Sequence, residues 1–165
     1  MTMIGNGDMR PQLSELIETQ GLADVVTILD FMPPEKVRDY MEHANIYLFT
    51  SDFSEGWGAV LNEAMNSGCA VIASHAIGAV PFLIKNGENG FVYHSGNIDE
   101  LVHLTKDLLN DKKIRKNVGK NAYLTITEEW NADTAATRFL ELCRALKDEN
   151  ELKLQIIQGP CSKIE

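Results

Sequence analysis

Ser51-Asp52-Phe53-Ser54-Glu55-Gly56-Trp57-Gly58-Ala59-Val60-Leu61-Asn62-Glu63-Ala64-Met65 is the stretch whose reading decides the fold. It follows the apolar run Ile46–Phe49 and precedes Gly68 and a second apolar run, Ala70–Ala73. Val60, Leu61, Ala64 and Met65 recur at helical spacing, so the stretch reads as a loop that turns into an amphipathic helix between two strands. Both runs lack polar alternation, as strands buried on both faces do, and that predicts a parallel sheet. Gly56 and Gly58 flank Trp57 just before the helix. Absent side chains there would let a phosphate approach the backbone, and a helix N-terminus offers free N–H groups and a positive dipole end. The same glycines also suit a sharp strand-to-helix turn with no ligand at all.

The pattern repeats outward. Met1–Ile4, Val25–Leu29 and Phe91–Tyr93 are further short apolar runs. Leu13, Leu16 and Ile17 share one helical face, and Val37, Tyr40 and Met41 share another. Strands alternating with helices imply βαβ units, hence an α/β fold with a Rossmann-like open parallel sheet between two layers of helices. From Asn97 onward the chain reads as helical. Asn97 caps a helix whose buried stripe is Leu101, Leu104, Thr105 and Leu108, with Asp99 and Glu100 in its first turn. A second helix runs from Asp111 towards Glu128, and a third from about Asn131 to Leu146. Gly87-Glu88-Asn89-Gly90 is a turn before the last strand. The domain is expected over residues 1–146, with 147–165 a loose or helical tail.

The whole chain has 165 residues, the size of one domain, with 44% hydrophobic and 24% charged residues, which excludes a disordered chain. Fifteen Lys+Arg against 24 Asp+Glu give a formal charge of -9, which opposes nonspecific binding of nucleic acid or anionic lipid. Cys69, Cys143 and Cys161 are odd in number and have no metal-ligand spacing, so they read as reduced thiols. No signal peptide is apparent and no apolar stretch approaches the ~18 residues of a membrane span, so a cytoplasmic protein is expected. Lys112, Lys113, Arg115, Lys116 and Lys120 read as a solvated helix face, with peripheral membrane docking the weaker alternative.

Ligands of open parallel sheets bind outside the carboxyl ends of the strands. Those ends carry Gly5-Asn6-Gly7, Phe31-Met32-Pro33, the Ser51–Gly58 loop, Ser74–Gly78 and His94. Glu55 and Glu63 stand eight positions apart, roughly 12 Å along a continuous helix. That exceeds the roughly 5–9.5 Å of hydrolytic carboxylate pairs, so they are not an acid/base couple. Glu63 is expected on the inner edge of its helix, where a carboxylate needs partners such as ribose or sugar hydroxyls. Ser51, Ser54 and Ser74 lack a Gly-x-Ser-x-Gly elbow, which opposes a hydrolase. Arg10 occupies the last slot of Gly5-Asn6-Gly7-Asp8-Met9-Arg10, which opposes a dinucleotide dehydrogenase. His75 and His94 follow strands but form no zinc-like set with a third ligand, so no metal is expected. His75 reads as an ordinary loop histidine, with contact to a sugar the sharper alternative. Trp57 either floors a sugar site or packs, and Trp130 anchors a helix junction.

Glu55-Gly-Trp-Gly-Ala-Val-Leu-Asn-Glu63-Ala-Met, followed by Gly68-Cys-Ala-Val-Ile-Ala-Ser74, resembles the Glu-x7-Glu region of retaining GT-B glycosyltransferases of family 4. Ile4-Gly-Asn-Gly7, Val26-Thr-Ile-Leu-Asp-Phe-Met-Pro33, Ala44-Asn-Ile-Tyr-Leu-Phe49 and Gly87-Glu-Asn-Gly-Phe-Val92 stand in that family's order, and the likeness covers about Met1 to Leu146. The resemblance implies the C-terminal, nucleotide-sugar-binding half of such an enzyme, serving polysaccharide or glycolipid synthesis with a UDP- or GDP-sugar donor and no cofactor. It places Glu55 at the donor sugar, near the reacting carbon, and Glu63 on the ribose hydroxyls. It sets the backbone of Gly56, Trp57 and Gly58 at the sugar and that of Val60 and Leu61 at the pyrophosphate. Phe31 and Met32 would border the base, with Gly5 and Gly7 leaving room for the nucleotide. A helix N-terminus meeting the leaving diphosphate, and the lack of any Asp-x-Asp triplet, fit a metal-free reaction.

Two departures from the family stand out. In Ile77-Gly78-Ala79-Val80-Pro81-Phe82, Phe82 replaces a common acidic residue. The family's acceptor-binding N-terminal domain and the first strand–helix unit of the donor domain, which brings an Arg and a Lys to the pyrophosphate, have no counterpart here. With the family's strand order 3-2-1-4-5-6, Met1–Ile4 would lie beside an unfilled slot. Either it pairs directly with Ile46–Phe49 or another chain fills the gap by self-association. The chain alone is therefore expected not to complete transfer. The competing readings are a binding-only nucleotide module and a sugar-nucleotide epimerase on the same architecture.

Overall fold

The computed structural model describes residues 1–147 and 159–162. The expected tail falls mostly outside them. Five strands and seven α-helices alternate along the described chain: β1 (Thr2–Ile4), α1 (Arg10–Thr19), β2 (Thr27–Leu29), α2 (Pro34–His43), β3 (Ile46–Phe49), α3 (Ala59–Asn66), β4 (Ala70–Ser74), α4 (Val80–Leu83), β5 (Phe91–Tyr93), α5 (Ile98–Asn110), α6 (Lys112–Leu124) and α7 (Ala132–Lys147). A π-helical turn, Thr125–Glu129, separates α6 from α7. Each apolar run of the sequence is a strand, and every ladder is parallel. The α/β, Rossmann-like reading therefore holds.

The chain divides into two compact units, Met1–Tyr40 and Met41–Glu165. In the first, β1 pairs with β2 in the register Met3↔Ile28, and the ladder continues where the Gly5 amide donates to the Leu29 carbonyl over 3.0 Å. In the second, β4 is central, flanked by β3 (Leu48↔Ile72) and β5 (Ile72↔Phe91). The strands thus form two sheets rather than one. Direct pairing of Met1–Ile4 with Ile46–Phe49, one of the two expected arrangements, does not occur among the described residues. Each of the two strands has one ladder partner, β2 for β1 and β4 for β3.

All five residues of β4 are buried, as a strand covered on both faces requires. Ala70 and Ile72 share one face with Tyr93, Leu108 and Val118, against which Ile46, Leu48, Phe91, Leu101 and Leu104 pack. This is the core beneath α5 and α6. α3 packs against β4 and α6, and its Leu61, Ala64 and Met65 are buried. The capping signals held. Asn97 Oδ1 accepts the Glu100 amide at 3.1 Å, and Asp111 Oδ1 accepts the amides of Lys113 and Ile114 at 2.8 and 2.9 Å. The short helix α4 and the π turn were not anticipated.

No helix among the described residues is long and apolar enough to cross a membrane. Cys69 is buried, while Cys143 and Cys161 are exposed and unbridged.

Candidate functional site

The Ser51–Gly58 loop leaves the carboxyl end of β3 and enters α3. Its first half is set by Asp52, whose carboxylate accepts the Ser54 amide at 2.8 Å and whose carbonyl accepts the Glu55 amide at 3.1 Å. The Ser54 amide bond is also what holds the Asp52 carboxyl below its ordinary range. Its second half needs glycine. Gly58 is the N-cap of α3 with φ 78°, a left-handed conformation that a side chain disfavours. A Cβ there would also stand 2.8 Å from Ile77 Cγ2 and 2.9 Å from Phe49 Cε1.

No side chain caps α3. The Leu61 amide is taken up by the Gly58 carbonyl at 2.8 Å. The amides of Ala59 and Val60 are the ones a helix start leaves without an intrahelical partner. Of the two backbone groups expected at a pyrophosphate, Val60 thus keeps an open amide while that of Leu61 is engaged. Glu55 is half-buried and Glu63 exposed. The expected inner-edge position for Glu63 is therefore corrected. At 100° per residue it lies nearly opposite the buried stripe of Leu61, Ala64 and Met65, so its carboxylate is solvated and needs no protein partner.

Tyr47, on β3, was not singled out in the sequence. Burial raises its phenol to about 12, and the charges of Cys69, Glu63 and Glu55 act in the same direction. Its ring lies 6.1 Å from that of Phe49. The available signal was period-2 alternation, which places residues 47 and 49 on one face.

Trp57 is 42% exposed. Its Nε1 donates to Asn62 Oδ1 at 3.0 Å, and its ring lies 5.4 Å from Phe82 and 6.0 Å from Trp130. These ring contacts are the packing that one of the two readings of Trp57 expected. Trp130 is at the expected helix junction. His75 accepts the Ser95 amide through Nδ1 at 2.9 Å and makes ring contacts with Phe53 and His94. His94 Nδ1 lies 3.1 Å from Glu100 Oε2. Among the described residues no group of three or more His, Cys, Asp or Glu could share a cation.

In the first unit, Gly5 and Gly7 form the turn after β1. Arg10 donates to the Gly5 carbonyl at 3.1 Å and pairs with Asp30 at 2.8 Å, which ties this turn to the end of β2. Phe31 is 82% exposed and Met32 half-buried. A cavity of about 200 Å³ is lined by Met3, Ile4, Gly5, Gly7, Arg10 and Leu13 among others. A larger one, about 370 Å³, lies along α7 and includes none of the candidate residues.

Residues 1–125 match the family model described as glycosyl transferases group 1. Among curated relatives, alpha-D-kanosaminyltransferase of Streptomyces kanamyceticus is 31% identical over 72% of this chain and 30% of its own length. The amylovoran biosynthesis glycosyltransferase AmsK of Erwinia amylovora is 29% identical over 88% of this chain and 37% of its own. The chain thus spans about a third of the length of the curated relatives it matches. Among solved structures, the C-terminal domain of a glycosyl transferase group 1 family protein (LpcC) from Francisella tularensis superposes with a TM-score of 0.67 at 28% identity, covering 73% of this chain and 62% of that one. Anabaena Alr3699/HepE in complex with UDP superposes with a TM-score of 0.73 at 25% identity, covering 87% and 40%.

Proposed function

Because this chain belongs to the glycosyl transferases group 1 family, we propose that it is the donor-binding part of a retaining, metal-independent glycosyltransferase acting in polysaccharide or glycolipid synthesis. The observation that carries this reading is the start of α3. A left-handed Gly58 opens the helix at the carboxyl end of β3, no side chain caps it, and Glu55 and Glu63 stand to either side. Open amides and the positive end of the dipole suit a diphosphate. The HepE complex with UDP supports a uridine nucleotide as one candidate.

In this reading the bond between the sugar's anomeric carbon and the diphosphate oxygen breaks, the diphosphate leaving with the electron pair, while an acceptor hydroxyl oxygen bonds to that carbon on the same face and gives its proton to the departing diphosphate. The amides of Ala59 and Val60 meet its growing charge, in place of a cation. Glu55 lies by the donor sugar, and the exposed Glu63 carboxylate accepts from the ribose hydroxyls. Gly56, Trp57 and Gly58 present backbone to the sugar.

The test is thermal stability against UDP, GDP and ADP, each with and without common sugars attached. A ligand at about 100 times its Kd adds ~2.7 kcal/mol, several degrees for a chain of this size. A shift with one nucleotide that is lost in Glu63→Ala supports the reading. No shift with any of them overturns a working donor site in this chain. Epimerised or hydrolysed sugar nucleotide in the absence of any acceptor would favour another enzyme on the same fold.

A further inference from the structure

The loop proposed to face the sugar is made of Gly56, Trp57 and Gly58, and two of these three residues have no side chain with which to hold it. Its position is set instead by what grips Trp57. The Trp57 carbonyl accepts the Ala79 amide at 3.0 Å, and its Nε1 donates to Asn62. Its indole completes a three-ring cluster with Phe82 on α4 and Trp130 beyond the π turn, with centroids 5.4, 6.0 and 6.2 Å apart.

Trp130 reaches this cluster through the π turn. The Trp130 amide donates to the Thr125 carbonyl at 3.0 Å, a bond five residues long. Adding one residue to a helical turn rotates everything after it by about 100° relative to an unbroken α-helix. The turn is anchored at Thr125, whose Oγ1 accepts from Asn89 at 2.8 Å and donates to the Asn121 carbonyl at 2.9 Å. One further observation bears on what the position uses. Trp130 Nε1 is buried with no acceptor among the described residues. A buried N–H left unpaired costs stability rather than adding to it, so what Trp130 contributes is the apolar face of its ring.

We propose that Trp130 is a positioning residue for donor-sugar binding: with Phe82 it fixes Trp57, and through it the 56–58 backbone, so the sugar-dependent part of donor affinity passes through the α6–α7 junction. This rests on the donor-site reading above. Trp130 lies on the indole side of Trp57, whereas the amides proposed for the diphosphate belong to α3. Loosening the cluster thus weakens recognition of the sugar and spares that of the nucleotide.

The experiment compares calorimetric Kd values of nucleoside diphosphate and of the matching nucleotide sugar for the wild-type chain, Trp130→Ala and Trp130→Phe. Trp130→Ala is expected to weaken the nucleotide sugar about tenfold, equivalent to 1.4 kcal/mol. The bare nucleotide should change less than about twofold, and Trp130→Phe should restore the sugar increment. Equal losses for both ligands, or no loss for either, overturn the proposal while leaving the donor site standing. A wild-type chain that binds no nucleotide overturns the donor-site reading and this inference with it.

Because the chain has only two tryptophans, a second measurement does not depend on the alanine variant folding. Both belong to the ring cluster, so the emission of the unaltered chain reports on it. A change on saturation with nucleotide sugar, and not with bare nucleotide, is expected. An emission blind to both ligands, or one that responds to both alike, overturns the coupling.

Discussion

The amide of Gly78 donates to the carbonyl of Gly56 over 3.0 Å, so the loop after β4 is bonded directly to the loop after β3. Ala79 repeats the bond to Trp57, and the two together make one backbone platform at the carboxyl ends of the strands. The approach is close enough that a Cβ on Gly78 would lie 2.4 Å from the Gly56 oxygen.

Gly78→Ala should therefore cost about 1–3 kcal/mol, the usual price of forcing atoms into a packed site. The obstacle is backbone, which cannot rotate aside as a side chain can. Denaturant unfolding would show the loss, and nucleotide-sugar affinity should fall with it. An unchanged midpoint would mean that the two loops separate freely.

Asn89 is a second tie. It is buried, its Nδ2 donates to the Leu83 carbonyl at 2.9 Å and to Thr125 Oγ1 at 2.8 Å, and its Oδ1 accepts the Lys85 amide at 2.7 Å. Asn89→Leu leaves those partners unpaired, and about 1–3 kcal/mol for each buried group so orphaned sets the scale of destabilisation. Differential scanning calorimetry should show the melting temperature lowered by several degrees.

The three cysteines should separate chemically. Burial pushes the Cys69 thiol up to about 11, and its Sγ lies 3.2 Å from the Met41 carbonyl. At pH 8 a thiol reagent should label Cys143 and Cys161 in the native chain and reach Cys69 only after denaturation. Rapid native labelling of all three would contradict the buried position.

Glu100 carries a pH signature. Its carboxylate accepts the His94 amide at 2.8 Å, and the bonds to the His94 amide and ring hold its carboxyl below the ordinary value of 4.5. A folded-state pKa below the unfolded one contributes stability that is present above the unfolded value and is lost as pH falls through the folded one. Unfolding midpoints taken from pH 6 downward should decline across the carboxylate range, and Glu100→Gln should flatten that limb. An identical acid limb in the variant would remove Glu100 from the account.

Much of the fold was legible because its signals are local. Continuous apolar runs such as Ala70–Ala73 mark strands buried on both faces, and Asn97 and Asp111 announce helix starts through a side chain that must accept an amide. The α3 site was legible for the same reason, since Gly56, Gly58 and the helix that follows are contiguous. Glu63 was misplaced because its neighbours in sequence are apolar, while its angle on the helix turns it outward. The π turn left no mark in Thr125–Glu129, because a one-residue widening depends on what the next segment packs against rather than on composition.

The sequence by itself determined the five strands, the helices other than α4, the parallel character of the ladders and the stretch that carries the candidate site, since periodicity, capping and turn chemistry act over a few residues. Only the tertiary structure decided that the sheets are two, that the loops after β3 and β4 are bonded to each other, and that Trp57, Phe82 and Trp130 form one cluster. Those relationships join residues far apart in the chain, and the free energy that brings them together is burial and packing, which no local pattern encodes.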